Sequence, residues 1–391
     1  MSQKIFDKIK NSKLRTSNIV RLDQNSHLYA INSLAGILKN TLHEASSKFD
    51  FKIDFWSSDT FSKNTKIFFS LRPTADESDE IKSVDVIVDN YLTETLNALN
   101  LLYFHKASIS DNKKYICKLV AEEFFCLGLT VNAMSTIKKY TSLKYGFQGE
   151  LDKETSRKAA SYTALQQMFI LLHEFSHLLF KCNLISDSKF NWFKENLIII
   201  MKENTSANEA EIEKYISENK KIFEECYCDS FAVEVLFEII NDLEESYNFK
   251  DICESIALSI HQLHILERIK EAVKGREIDL SLQLIIRQLF LNTFMSMQCF
   301  KHSKTDLFSS EAFRKQVTST EKDIMSQTDV FIINTIAPYT DNLISIANYY
   351  YNKVTNELIL DVIKSTTTQD ETIDSSDQLD DLCFNILMQL I

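Results

Sequence analysis

The decapeptide LLHEFSHLLF, from Leu171 to Phe180, places two histidines and a glutamate inside an apolar stretch. The heptapeptide ALQQMFI leads directly into it, and together they predict a helix that is apolar on nearly every side, as in a helix buried all round. Burying His173, Glu174 and His177 without partners would cost several kcal/mol, as an order of magnitude. The three groups therefore either face a cleft or are satisfied by something bound there.

The composition indicates a helix-rich chain. Its 391 residues, 45% of them hydrophobic, can form one large domain or about two or three smaller ones. The chain has only 5 Gly and 2 Pro, which implies few tight turns. We therefore predict an α+β fold that is mostly helical.

The charge and the termini limit the possible partners and compartments. A net charge of -12 argues against general nucleic-acid binding, because a phosphate backbone requires a basic surface. The N-terminal sequence MSQKIFDKIKNSKLRTSN lacks the apolar core of a signal peptide, and no apolar run is long enough to span a membrane. The 8 cysteines follow no disulfide framework. We expect a cytoplasmic protein with neither a nucleic-acid partner nor a membrane partner.

Hydrophobic periodicity divides the chain into four segments. Residues 1–48 have helical spacing, the stretches 51–56, 65–72 and 83–92 predict three strands, and helices follow from about Leu96. The C-terminal region is polar and acidic, and its short apolar end LCFNILMQLI either docks as a final helix or binds a partner. The predicted segments are 1–112 (a helix plus a small sheet), 113–310 (the helical core), 311–365 (C-terminal helices) and 366–391 (a flexible acidic tail).

The central motif, His173-Glu174-Phe175-Ser176-His177, has the pattern H-E-x-x-H. Positions 173 and 177 lie one helical turn apart on the same face, so both imidazoles can reach one zinc ion while Glu174 lies beside them. The alternative is a pair of hydrogen-bonded core histidines. A zinc ion is favoured because it resolves the burial problem of this helix.

A catalytic zinc needs a third protein ligand, and IFEECYCDSFAVEVLF (Ile222 to Phe237) offers one. Glu225 and Asp229 lie one turn apart on an otherwise apolar stripe of this predicted helix. Glu225 can be the third ligand, and Asp229 can accept the free N–H of a ligand imidazole. Glu224 competes as ligand, but the residue four positions after it is Cys228, which is not a carboxylate.

The combination of H-E-x-x-H with a later E-x-x-x-D resembles the gluzincin metallopeptidases. The stretch EECYCDSFA is similar to their E-x-x-A-D-x-x-A pattern, with Cys228 where alanine is usual. The stretch HQLHILERIKEAV (His261 to Val273) resembles their H-P-x-x-x-R-[IL] segment, although it lacks the proline and is shorter. In size and motif order the chain also resembles the Lit-type phage-exclusion peptidases, bacterial proteases that attack a host protein on infection.

This resemblance implies a zincin-like core, with a small N-terminal β-sheet beside the H-E-x-x-H helix and additional C-terminal helices. It implies one Zn2+ per chain bound by His173, His177 and Glu225, with Glu174 as general base. An extended substrate would add to the strand at 65–72 or at 83–92. Candidate stabilisers of the transition state are Tyr227, His261, His264 and Arg268.

The sequence thus predicts a zinc-dependent endopeptidase that cleaves an intracellular protein, in the manner of a phage-defence or toxin-like protease. Its partners would be a protein substrate and a regulatory protein. Two alternatives are a non-catalytic zincin-fold binding module and a metal-dependent hydrolase of a non-peptide substrate. Glu174 argues against the binding module, because a structural metal site needs ligands but no base.

Overall fold

A computed structural model describes most of the chain from residue 79 onwards. The described residues are 19–21, 52–58, 63, 65–73, 79–143, 152–181, 187–204, 206–242, 249–276, most positions from 283 to 298, 337–366 and 377–389. The strands are β1 (Ile19–Arg21), β2 (Lys52–Ser58), β3 (Lys66–Pro73) and β4 (Asp79–Asp89). The helices are α1 (Asn90–Phe104), α2 (Ile109–Cys126), α3 (Thr130–Ser142), α4 (Lys153–Lys181), α5 (Asp187–Asn204), α6 (Glu209–Glu218), α7 (Lys220–Asp242), α8 (Phe249–Val273), α9 (Ala337–Lys353), α10 (Asn356–Lys364) and α11 (Asp377–Gln389). Further helical residues lie between 283 and 298.

The prediction of a mostly helical α+β protein is confirmed at this level. The strands form one sheet in the order β1-β2-β4-β3, in which β2 and β4 are parallel and the two outer pairs antiparallel. The inner strand β4 lies between β2 and β3, and its Val84 and Val86 are fully buried. The predicted zincin core, and the place of this sheet beside the H-E-x-x-H helix, stay predictions.

The third predicted strand, 83–92, overlaps β4 but is wrong at both ends, since β4 already begins at Asp79. The sequence pattern extends it to residue 92, whereas β4 ends at Asp89 and α1 begins at Asn90. The cause is a helix cap, because the Asp89 carboxylate accepts a hydrogen bond of 3.0 Å from the backbone N–H of Tyr91. The cap satisfies a donor at the start of α1 and so fixes the change from strand to helix.

A fourth strand corrects the prediction for the N-terminal region. Residues 19–21 were predicted as helix but form β1, which pairs antiparallel with residues 56–58 of β2. The β-branched Ile19 and Val20 suit a strand, and pairing with β2 outweighs the helical spacing of the surrounding sequence. The rest of the predicted helix 1–48 lies outside the described residues.

The described residues group into two compact units. The first unit comprises Met1–Met168, His261–Leu280 and Tyr349–Ile391, and the second comprises Phe169–Ile260 and Ser281–Asn348. Both are assembled from separate stretches of sequence, whereas the four predicted segments are consecutive. Those segment boundaries stay a prediction.

The C-terminal helix α11 belongs to the first unit and packs on α2 and α3. Its side chains Cys383 and Leu387 are fully buried, and the Thr130 hydroxyl donates a hydrogen bond to the Asp380 carboxylate. Of the two possibilities for the apolar end of the tail, docking as a final helix is therefore correct. None of the helices in the described ranges combines the length and the apolar character needed to cross a bilayer.

Three buried amides form a closed ring in the core of the first unit. Asn100 of α1 donates to Gln166 of α4 at 2.9 Å, Gln166 to Gln262 of α8 at 3.1 Å, and Gln262 back to Asn100 at 2.8 Å. All three residues are 0% exposed. Because water cannot replace these partners, the ring specifies one arrangement of the three helices.

We predict that Gln166→Leu lowers the free energy of unfolding by about 1–3 kcal/mol, because it removes the donor to the buried Gln262 Oε1 and one acceptor of Asn100 Nδ2. Gln167→Leu is the matched control, since Gln167 is half-buried on the same helix and water can replace its lost contacts. Urea denaturation would measure both variants. An equal loss in the two variants would contradict the role given to the ring.

Candidate metal centre

The two histidines of the H-E-x-x-H motif lie on one face of α4. Their Nε2 atoms are 3.2 Å apart, as expected for residues separated by one helical turn. The apolar residues between and beside them, Leu172, Phe175 and Leu178, are buried. This packing fixes the rotation of α4 about its axis and so sets the direction in which both imidazoles point.

Glu225 of α7 completes a group of three. Its Oε2 atom is 3.3 Å from Nε2 of His173, and its Oε1 atom is 3.6 Å from Nε2 of His177. Among the described residues, these three side chains form a group able to hold a metal ion. The structure therefore brings together the three ligands that the sequence predicts.

The spacing of these atoms fits a tetrahedral ion. Ligands about 2.0–2.1 Å from a tetrahedral zinc lie roughly 3.3–3.4 Å from one another. The two Nε2 atoms are 3.2 Å apart, and His173 Nε2 lies 3.3 Å from Glu225 Oε2, both close to this value. The distance of 3.6 Å from His177 Nε2 is to the other carboxylate oxygen, Oε1. Two imidazoles and one carboxylate are also the donor set of a catalytic zinc site, which leaves one position open.

Asp229 lies one turn beyond Glu225 on α7 and contacts the imidazole of His173 at Nδ1. Its Oδ1 atom is 2.8 Å from Nδ1 of His173, the ring nitrogen that faces away from the ligand cluster. The Asp229 carboxylate thus forms an ion pair with the protonated imidazole. The carboxylate is 1% exposed and also accepts two hydrogen bonds of 2.8 Å from Arg287.

Glu224 has a role that the sequence did not predict. Its carboxylate lies 2.9 Å from Nδ1 of His177, and the Cys228 thiol lies 3.4 Å from the same nitrogen. Helix α7 thus uses two neighbouring pairs spaced by four residues. Glu225 and Asp229 face His173, and Glu224 and Cys228 face the outer side of His177. Each of the two histidines therefore has a carboxylate beside its Nδ1 atom, while its Nε2 atom faces the other candidate ligands.

Electrostatics fix the protonation of the cluster. Burial lowers the pKa of His173, but the Asp229 and Glu225 carboxylates outweigh burial and raise it to about 9. Burial raises the pKa of Asp229, whereas Arg287 and His173 lower it to about 2. Burial also raises the pKa of Glu225, and His173 and Arg287 reverse this to about 2. At neutral pH His173 is therefore protonated and both carboxylates are charged.

The other predicted site residues lie in different surroundings. Glu174 follows His173 on α4 and is half-buried. The Tyr227 ring packs edge to face against Phe180 and Phe193, with ring centroids 4.8 and 5.1 Å away. Its role in stabilising a transition state stays a prediction.

The three candidates on α8, His261, His264 and Arg268, belong to the first unit, whereas the ligand cluster belongs to the second. His261 stacks on Tyr350 at 5.5 Å, and burial lowers its pKa to about 4. Its imidazole is therefore neutral at physiological pH. The proposed roles of these three residues in catalysis stay predictions.

Arg287 is the site residue that sequence reasoning missed. It lies in the apolar stretch LIIRQLFL, where the neighbouring Ile286, Phe290 and Leu291 are buried. A lone cation in such a helix needs a buried anion, which is the same signal that identified the two histidines and the two carboxylates. The sequence alone, however, could not say which anion Arg287 contacts.

Comparisons of the chain with protein-family models, with curated proteins and with solved structures found no significant match. The assignment of the site therefore rests on the geometry described above.

We predict that the apparent affinity for zinc rises about tenfold per pH unit between pH 7 and 9, because metal binding at His173 must displace a proton from a group whose pKa is about 9. Above this pKa the affinity should level off. Chelator competition at each pH, corrected for protonation of the chelator, would measure the change. An affinity that is constant over this range would show that no proton is displaced.

The arrangement on α7 also predicts an order of metal loss among three variants. Glu225→Gln should empty the site because it removes a ligand, whereas Asp229→Asn and Glu224→Gln should weaken binding by about 10–100-fold because they disturb only the support of a histidine. Zinc content after dialysis against a graded series of chelator concentrations would rank the variants. If Glu224→Gln emptied the site while Glu225→Gln remained loaded, Glu224 would be the third ligand.

Proposed function

We propose that the protein is a zinc-dependent endopeptidase. One observation carries the proposal: His173, His177 and Glu225 each offer one ligand atom, and these three atoms lie within 4.8 Å of one another, close enough to bind one metal ion. Glu174 follows the first of these ligands, in the position of the catalytic glutamate of an H-E-x-x-H motif.

Zinc is the metal that best suits these donors. Imidazole nitrogens suit zinc and the later transition metals, whereas magnesium and calcium prefer sites made of oxygen ligands. When bound, zinc would act as a Lewis acid and lower the pKa of a coordinated water to about 7. Three protein ligands leave room for that water, as the proposed chemistry requires.

The residues around the cluster would then have distinct tasks. Glu174 would take the proton as water attacks a peptide carbonyl and later pass it to the leaving amine. Asp229 and Glu224 would hold the rings of His173 and His177 in place from their outer nitrogens. A purely structural metal site would also need these supports for its histidines, but it would not need Glu174 as a base.

The substrate that we propose is an intracellular protein, bound in extended form along a strand as in other zincins. A phage-defence or toxin-like role follows only from the resemblance to the Lit-type peptidases, and a regulatory protein partner follows from the same source. Tyr227, His261, His264 and Arg268 are the candidates for stabilising the oxyanion. The cytoplasm remains the expected compartment.

We predict that Glu174→Gln keeps the zinc and the fold but lowers proteolysis by several orders of magnitude, because it removes the base without removing a ligand. Activity would be followed by mass-spectrometric detection of new protein termini in cells that express each variant. Glu154→Gln is the matched control, since it makes the same change at an exposed position of α4.

The same experiment separates the alternatives. If the wild-type protein binds zinc but produces no new termini, the proposal of an endopeptidase is wrong, and a binding module or a hydrolase of non-peptide bonds takes its place. If Glu174→Gln retains activity within about tenfold, Glu174 is not the base. If purified wild-type protein does not bind zinc, the metal centre itself is wrong.

A further inference from the structure

Arg287 holds the buried carboxylate of Asp229 by two hydrogen bonds. Its Nε donates to Oδ2 and its Nη2 donates to Oδ1, both at 2.8 Å. Two parallel bonds of this kind fix the plane of the carboxylate as well as its position, which a single contact cannot do. The third nitrogen, Nη1, lies 3.5 Å from Oε2 of Glu225, so its contact with the ligand is longer.

The helical segment that carries Arg287 is packed into the core of the second unit. Phe290, one turn beyond Arg287, is buried and packs against Phe193 of α5 with ring centroids 6.2 Å apart. Ile286 and Leu291 are buried as well, and the Arg287 side chain itself is 24% exposed. The segment that carries Arg287 is therefore held by apolar packing, and the guanidinium of Arg287 contacts the carboxylates of Asp229 and Glu225 on α7.

Asp229 is the link between Arg287 and the metal site. The carboxylate oxygen that accepts from Arg287 Nη2 is Oδ1, and this same oxygen lies 2.8 Å from Nδ1 of His173. A shift of the arginine would therefore move the atom that orients the ligand imidazole. Asp229 is 1% exposed and lies one helical turn from a second carboxylate, that of Glu225. Without the cation of Arg287, the two negative charges would repel each other in a buried position.

We propose that Arg287 is a positioning residue of the metal centre and that it acts on His173 through Asp229. The inference rests on the proposed zinc site, and it adds a residue from a third element to a site built from α4 and α7. A lysine could supply the charge but not the two parallel bonds, because its ammonium is a point charge on a flexible stem.

The test is a double-mutant cycle with Arg287→Met, Asp229→Asn and the double variant, measured as the zinc Kd by chelator competition. Arg287→Met should weaken binding by about 10–100-fold, as loss of the support of a ligand does. In the Asp229→Asn background the same change should cost less than about threefold, because coupled residues are not additive. Arg287→Lys should fall between wild type and Arg287→Met.

Absorption of the cobalt-substituted protein gives a readout that a purely stabilising residue would not affect. Arg287→Met should alter the visible bands of bound Co2+, because the His173 ring loses its fixed orientation. Arg276→Met, at an exposed arginine of the first unit, is the control and should leave the Kd and the spectrum unchanged.

Three outcomes would overturn the inference: wild-type zinc Kd and cobalt spectrum in Arg287→Met, losses that simply multiply in the double variant, or full binding in Arg287→Lys. If Arg287→Met does not fold, Arg287→Lys and Arg287→Gln complete the same cycle. A wild-type protein that binds no zinc would instead refute the proposed function.

Discussion

The candidate metal site depends on the contacts of one buried carboxylate, that of Asp229. This carboxylate is 1% exposed, so its charge must be compensated by protein groups, and it contacts His173 of α4 on one side and Arg287 on the other. Asp229 itself belongs to α7. One side chain therefore connects three helical segments that are far apart in sequence. These contacts hold α4 and α7 side by side, so that the Nε2 atoms of the histidines lie close to Glu225.

Much of this site could be predicted from the sequence because its residues occur in pairs separated by four positions. His173 with His177, and Glu225 with Asp229, are pairs on single helices, and a polar pair in an apolar helix is visible without knowledge of the fold. Glu224 and Arg287 were not assigned their roles because those roles depend on which helices meet. The cation in LIIRQLFL was a usable signal, but its anion lies 58 positions earlier in the chain.

The same division between local and long-range features applies to the fold. Helical content and the main strands follow from composition and periodicity, whereas β1 depends on pairing with a strand more than thirty residues away. The transition at Asp89 depends on one side-chain cap. The break between α2 and α3 depends on Gly128, whose φ of 75° lies in the left-handed region that glycine tolerates. The amide ring joins residues 66 to 162 positions apart, and no local pattern marks such partners.

The docking of α11 has a consequence for the order in which the chain can fold on the ribosome. The second unit ends at Asn348, whereas the first contains both β1 and α11. Because synthesis proceeds from the N-terminus, all residues of the second unit emerge before α11 of the first unit. Until then, the surfaces of α2 and α3 that pack against α11 lack this partner on the nascent chain. The first unit is thus completed only after every residue of the second unit has been synthesised.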